Sequence, residues 1–119
     1  MLDTQLNNID ESAVLGRAAM RAADKLGLSM QQLATIVGRD RTSISRRGIE
    51  PHSKSGELAL LLVRCYRSLA VLVNDNGDQL RHWMQTQNRH TGGIPAEQIE
   101  SVNGLVSVCA YLDAIRARV

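Results

Sequence analysis

The chain has 119 residues, enough for one domain or two small subdomains. Hydrophobic residues make up 44 %, with one Trp, two Tyr and no Phe, so the core is aliphatic, which suits a helical bundle better than a β-sandwich. The net charge of +2 makes bulk charge weak evidence for nucleic acid, and the longest apolar run, Leu58–Val63, is far short of the ~18 residues that span a membrane.

Residues 1 to about 11, MLDTQLNNIDE, are polar and read as a loose terminus. They lack the basic start and apolar centre of a secretory signal, which points to a cytoplasmic protein. A first helix is expected from about Ser12 to Leu26, with Leu15, Ala19, Ala22 and Leu26 on its apolar face. Ser29 is then placed to cap a second helix, in which Met30, Leu33, Ala34 and Val37 recur at helical spacing. Gly38 follows the last apolar residue, where a left-handed turn needs glycine. Asp40 can cap a third helix running to about Arg47, with Ile44 turned inward.

Two helices joined by a short glycine turn form the unit whose second helix enters the DNA major groove. On that second helix Arg41, Thr42, Ser43, Ser45, Arg46 and Arg47 are left to face outward. An Arg fork can donate two hydrogen bonds to guanine or to phosphate, and Ser and Thr reach phosphate or base edges. Gln31 and Gln32, at the start of the preceding helix, can reach phosphate or an adenine edge. Arg41, Ser43, Arg46 and Arg47 are assigned the main contacts, without dividing them between bases and phosphates. From Arg39 to Lys54 there are five Lys/Arg and two Asp/Glu, a local +3, so the positive charge gathers where such a contact needs it.

The segment Gly48–Gly56 contains Pro, Ser and two Gly and reads as the boundary between two regions, residues 12–50 and residues 57–119. Glu57 to about Asn74 is the strongest amphipathic pattern, with Leu58, Leu61, Leu62, Cys65, Leu69, Leu72 and Val73 on one face. Leu60, Val63 and Val71 extend its apolar surface, which makes this helix a candidate dimer interface. Arg64 and Arg67 read as its solvated face. After the loop Asn74–Gly77, a short helix is expected from Asp78 to Gln85 with Leu80, Trp83 and Met84. Thr86–Ile94 is a loop, and Pro95 suits the first turn of a helix over PAEQIE. The last helix runs from Ser101–Asn103 to about Arg118, striped with Leu105, Val108, Cys109, Leu112 and Ile115. The fold class is therefore all-α, about seven helices, an N-terminal helix-turn-helix region followed by a small helical domain.

Cys65 and Cys109 fall at apolar helix positions and read as reduced core thiols. His52, His82 and His90 lack metal-type spacing. No grouping of Ser, His, Cys or acidic residues suggests catalysis, so neither an enzyme, a cofactor nor a small-molecule substrate is expected.

The run from Leu80 to Val119 resembles the toxin-binding domain of the MbcA/ParS/Xre antitoxin family. The matching features are Trp83, Asn88, Gly92, Gly93 and Pro95, then Gly104-Leu105 and the closing Tyr111-Leu112-Asp113. The family also places an Xre-type helix-turn-helix upstream with a long helix between. Thr91, where many members have an apolar residue, and the single Ile94 between Gly93 and Pro95 depart from the usual pattern. The resemblance implies a cytoplasmic antitoxin whose C-terminal domain binds a RES-fold toxin that acts on NAD⁺. It also implies a homodimer that represses its own operon by binding operator DNA. Carried onto this chain, it makes Arg116, Arg118 and Val119 the candidate toxin-blocking end, and Arg89 and His90 are placed to touch the partner. Two other readings stay open: a stand-alone helix-turn-helix regulator, and an interaction module that no longer binds DNA.

Overall fold

The computed structural model describes residues 10–118, so the expected loose terminus lies, for residues 1–9, outside the described residues. Among the described residues there are seven helices and no strand: α1 Glu11–Lys25, α2 Met30–Val37, α3 Arg41–Arg47, α4 Lys54–Leu72, α5 Gly77–Gln85, α6 Pro95–Gln98 and α7 Val102–Arg116.

Local chemistry sets the helix starts. Asp10, Ser29, Asp40, Ser53, Asn76 and Ser101 each accept a hydrogen bond from a first-turn backbone N–H of the helix that follows. These caps satisfy donors that have no partner inside the helix. Before α2 the cap is reciprocal: the Gln32 N–H donates to Ser29 Oγ at 3.0 Å, and the Ser29 N–H donates to Gln32 Oε1 at 2.9 Å. The remaining helix, α6, begins with Pro95, whose missing N–H needs no partner there.

α4 is the central element. It packs most extensively on α7, then on α1 and on α2, while α5 and α6 close the end of the bundle beside α7. One core cluster runs through all seven helices, with Leu26, Leu33, Ile44, Ile49, Leu62 and Leu69 continuous with Leu80, Met84, Ile99, Leu105 and Leu112. Burial of these aliphatic side chains, each contributing about 1.5–3 kcal/mol when fully enclosed, holds the helix-turn-helix and the C-terminal half against the same central helix.

The helix boundaries differ from expectation chiefly at α4 and α6, while α7 ends at Arg116, two residues early. α4 starts at Lys54, three residues before Glu57, because Ser53 caps it. Gly56 lies inside its first turn: a Cβ there would stand 2.2 Å from the Glu50 carbonyl oxygen, so the glycine permits close approach and does not break the helix. Within the segment between α3 and α4, Gly48 and Ile49 are buried, and the Ile49 N–H donates to the Ser12 carbonyl at 2.9 Å. At its other end α4 stops at Leu72, and the chain reverses through Asn74 and Asp75, both left-handed at φ +54° and +53°. That turn is clamped. Tyr66 Oη donates to Asp75 Oδ1 at 2.8 Å, and Lys25 Nζ lies 3.2 Å from Asp75 Oδ2. α6 ends at Gln98, shorter than PAEQIE.

Candidate functional site

The first site is built on α2, the turn and α3. Gly38 takes the left-handed turn at φ +72°, and Asp40 Oδ1 accepts from the Ser43 N–H at 2.8 Å. This fixes the start of α3, and Ile44, 1 % exposed, anchors it in the core. Arg41, Thr42, Ser45, Arg46 and Arg47 are then all exposed, as a surface that meets DNA requires. Thr42, Ser43, Arg46 and Arg47 border a shallow hollow of about 220 Å³ with Asp40.

Two expected contacts are already engaged within the fold. Ser43 is half-buried and its Oγ accepts from Arg39 Nη2 at 2.9 Å, which leaves its own O–H to donate outward. Gln32 commits its Oε1 to the α2 cap, which leaves its amide N–H groups, while Gln31 is exposed and bears no such duty. Arg39 escaped the sequence reading. It lies four residues before Ser43, in the turn, and its guanidinium joins the outward basic group through that serine. Arg46 and Arg47 occupy the last turn of α3, where positive charge also complements the helix dipole.

The second site lies at the far end of the bundle. Asn88 organises the loop before α6: its Oδ1 accepts from the His90 and Thr91 N–H groups, and its own N–H donates to the Gly93 carbonyl at 2.8 Å. Gly92 turns left-handed at φ +81°, and Gln98 Nε2 donates to the Thr91 carbonyl at 2.6 Å. Gly104 permits the α6–α7 junction, since a Cβ there would fall 1.8 Å from the Gln98 carbonyl oxygen. Asn88, Gly92 and Gly104 thus have backbone reasons to be where they are, while a Cβ at Gly93 would crowd the Gln98 side chain.

Trp83, Tyr111 and His90 form a parallel stack, with Tyr111 in the middle. Its ring centroid lies 6.5 Å from that of Trp83 and 5.8 Å from that of His90. Trp83 is half-buried against the core, and the stack pins the exposed His90, beside exposed Arg89, to α7. Arg116 points elsewhere. Its Nη1 donates to Ser68 Oγ of α4 at 3.5 Å, and Tyr111, five residues earlier, sits roughly 140° round the helix. Arg89 and His90 are therefore not clustered with Arg116. Arg118 is exposed, and Val119 lies outside the described residues.

Between the two sites, Asp113 joins α7 to α4. Its Oδ1 accepts from buried Ser68 Oγ at 2.7 Å, and its Oδ2 lies 2.8 Å from Arg64 Nη2. Arg64 is thus paired as well as solvated. Cys65 and Cys109 are free and buried nearby. Burial, then the neighbouring Cys109 and Asp113, pushes the Cys65 thiol up to about 12, and burial first, then Asp113, raises that of Cys109. Both thiols stay protonated near neutrality and serve as packing groups, not nucleophiles.

A capped helix-turn-helix with an exposed, arginine-rich second helix, followed by a helical region on the same core, defines a helix-turn-helix protein of the DNA-binding type. Comparison with protein families matches residues 5–64 to the antitoxin Xre-like helix-turn-helix domain and residues 68–118 to the antitoxin Xre/MbcA/ParS C-terminal toxin-binding domain. The chain belongs to the Xre/MbcA/ParS antitoxin family: it is an antitoxin of a toxin–antitoxin system, with a DNA-binding and a toxin-binding part. A comparison with individual curated proteins finds no match. No helix among the described residues is long and apolar enough to cross a membrane.

Proposed function

We propose that this antitoxin neutralises a RES-fold toxin that acts on NAD⁺, and represses its own operon as a cytoplasmic homodimer. The observation that carries the reading is the joint presence, on one chain, of an exposed basic α3 and a toxin-binding match that reaches the end of α7. Residues 12–50 read the operator and residues 57–119 hold the toxin. Arg41, Arg46 and Arg47 supply the main DNA contacts, with Thr42, Ser43, Ser45, Gln31 and Gln32 beside them. One helix-turn-helix reads one half-site, so a twofold dimer reads a palindrome.

On the toxin side, Arg116, Arg118 and Val119 form the blocking end, and Arg89 and His90 make a separate contact from the loop. An arginine fork suits a pocket shaped for phosphate or ribose oxygens. The chain itself supplies no catalysis and needs no cofactor. The test separates the two activities. Deleting residues 116–119 is expected to weaken neutralisation and spare operator binding; full neutralisation by the truncated protein would remove the blocking-end assignment. Repression of the operon with no toxin partner in the neighbouring reading frame would favour the stand-alone regulator instead.

A further inference from the structure

α1 and α4 each carry a stripe of arginines and apolar residues at helical spacing, exposed or half-buried but for the buried Val63. On α1 it reads Val14, Arg17, Ala18, Arg21, and on α4 it reads Leu60, Val63, Arg64, Arg67. Val14 and Ala18 of the first stripe and all four residues of the second line a common groove of about 990 Å³. Val14, Ala18, Leu60 and Val63 line its floor, and Val14 and Leu60 remain 48 % and 50 % exposed. Arg64, Arg67 and Arg116 line its rim. The groove borders a second hollow of about 640 Å³ between Arg17, Arg21 and Arg67. Against five arginines stand Glu11 in the groove, Asp113, which Arg64 already pairs, and Asp75, which shares a neighbouring hollow with Arg67 and Arg116 and is already paired with Lys25. Among the described residues, Arg17, Arg21 and Arg67 form no ion pair.

We propose that this groove binds an acidic amphipathic helix of a protein partner, apolar side chains on the floor and carboxylates on the arginine rim. The chemistry selects this occupant. Half-exposed Val14 and Leu60 gain from apolar cover, which a phosphate backbone does not provide. Guanidinium groups take carboxylates in bidentate pairs. A second copy fits poorly, because a twofold contact pairs the patch with its own copy and doubles the arginine excess without supplying matching carboxylates. That argument also moves self-association away from the Leu60 face of α4. The groove stays open when α3 is on DNA: Gly16 of α1 abuts the end of α3, and Val14 lies about 200° round the helix from it. The proposal shares only Arg116 with the toxin reading, and its tests, at Leu60 and Arg67, touch neither the Arg89 loop nor the blocking end.

The probe is a labelled synthetic helix with Leu at i, i+4 and i+7 spacing and Glu on the flanks, titrated onto the full chain by fluorescence anisotropy. The comparison peptide has Lys in place of Glu, and a second has Ser in place of Leu. Saturable binding of the Glu/Leu peptide alone is expected. Leu60→Asp and Arg67→Glu are each expected to weaken it at least tenfold, with the thermal melt and operator binding unchanged. Absent or equal binding of the Glu/Leu and Lys/Leu peptides overturns the proposal. So does equal binding of the Ser peptide. A dimer that Leu60→Asp dissociates in sedimentation would assign the groove to a second copy, and loss of duplex binding in Arg67→Glu would assign it to nucleic acid.

Discussion

Gly16 of α1 and Gly48, the residue that closes α3, meet backbone to backbone: a Cβ on Gly16 would stand 2.7 Å from Gly48 Cα. A Cβ on Gly48 would stand 2.0 Å from the Ser12 carbonyl oxygen, and its φ of +74° with ψ of −153° suits glycine alone. This contact sets how far α3 stands from α1, and so where its arginines project. Gly48→Ala is expected to destabilise by about 3 kcal/mol or more, combining backbone strain and overpacking of about 1–3 kcal/mol each. A fall in Tm of roughly 10 °C or more checks it. An unchanged melt would show that the contact relaxes freely.

The DNA assignment rests on α3. Arg46→Ala and Arg47→Ala are each expected to weaken operator binding, by about 1–3 kcal/mol where the arginine reads a base. A phosphate contact instead shows as a smaller dependence of affinity on salt. Arg39→Ala is expected to weaken binding too, because Arg39 holds the Ser43 hydroxyl. Gel shifts across a salt series separate these cases.

Asp113 joins α7 to α4. Asp113→Ala leaves the Ser68 hydroxyl, fully buried, without its acceptor, and Arg64 without its partner. A loss of about 1–3 kcal/mol is expected from the unpaired hydroxyl. Urea denaturation measures it. Asp113→Asn, which keeps an acceptor oxygen, is expected to lose less.

The clamp on the α4–α5 turn predicts a pH dependence. The hydrogen bond from Tyr66, then that from Lys25, holds the Asp75 carboxyl below its ordinary value of 3.8. A carboxyl whose pKa falls on folding stabilises the fold above its unfolded value, and that contribution is lost as pH drops through the folded value. Asp75→Asn is therefore expected to melt lower than the unmodified chain at pH 6, with the gap closing below pH 3.8. A gap that persists unchanged at pH 2 would assign the effect to turn geometry and not to charge.

Much of the fold is legible because its signals are local. Ser29, Asp40 and Ser101 cap their helices within three residues of sequence, and Ile44 stands alone among polar neighbours on α3. The α4 start was misplaced because Gly56 reads as a breaker, while its cause, the Glu50 carbonyl 2.2 Å from a would-be Cβ, is visible only after folding. The candidate DNA residues can be proposed from sequence because six of them surround Ile44, the one buried residue of α3, and Gln31 and Gln32 open α2. The links Ser68–Asp113 and Trp83–Tyr111–His90 could not, because they join residues on separate helices and loops. For the same reason the arginine groove has no sequence signature: Arg64 and Arg67 alone read as a solvated face, and Leu60 and Val63 as part of a dimer face.

The central claim, that this chain is the antitoxin of an NAD⁺-directed toxin, is tested most directly in cells. The reading frame adjacent to its gene is expressed with and without this protein, while growth and NAD⁺ are followed. The account predicts growth arrest with falling NAD⁺, both reversed by this chain. Arrest that this chain does not relieve, or arrest with NAD⁺ unchanged, would contradict it.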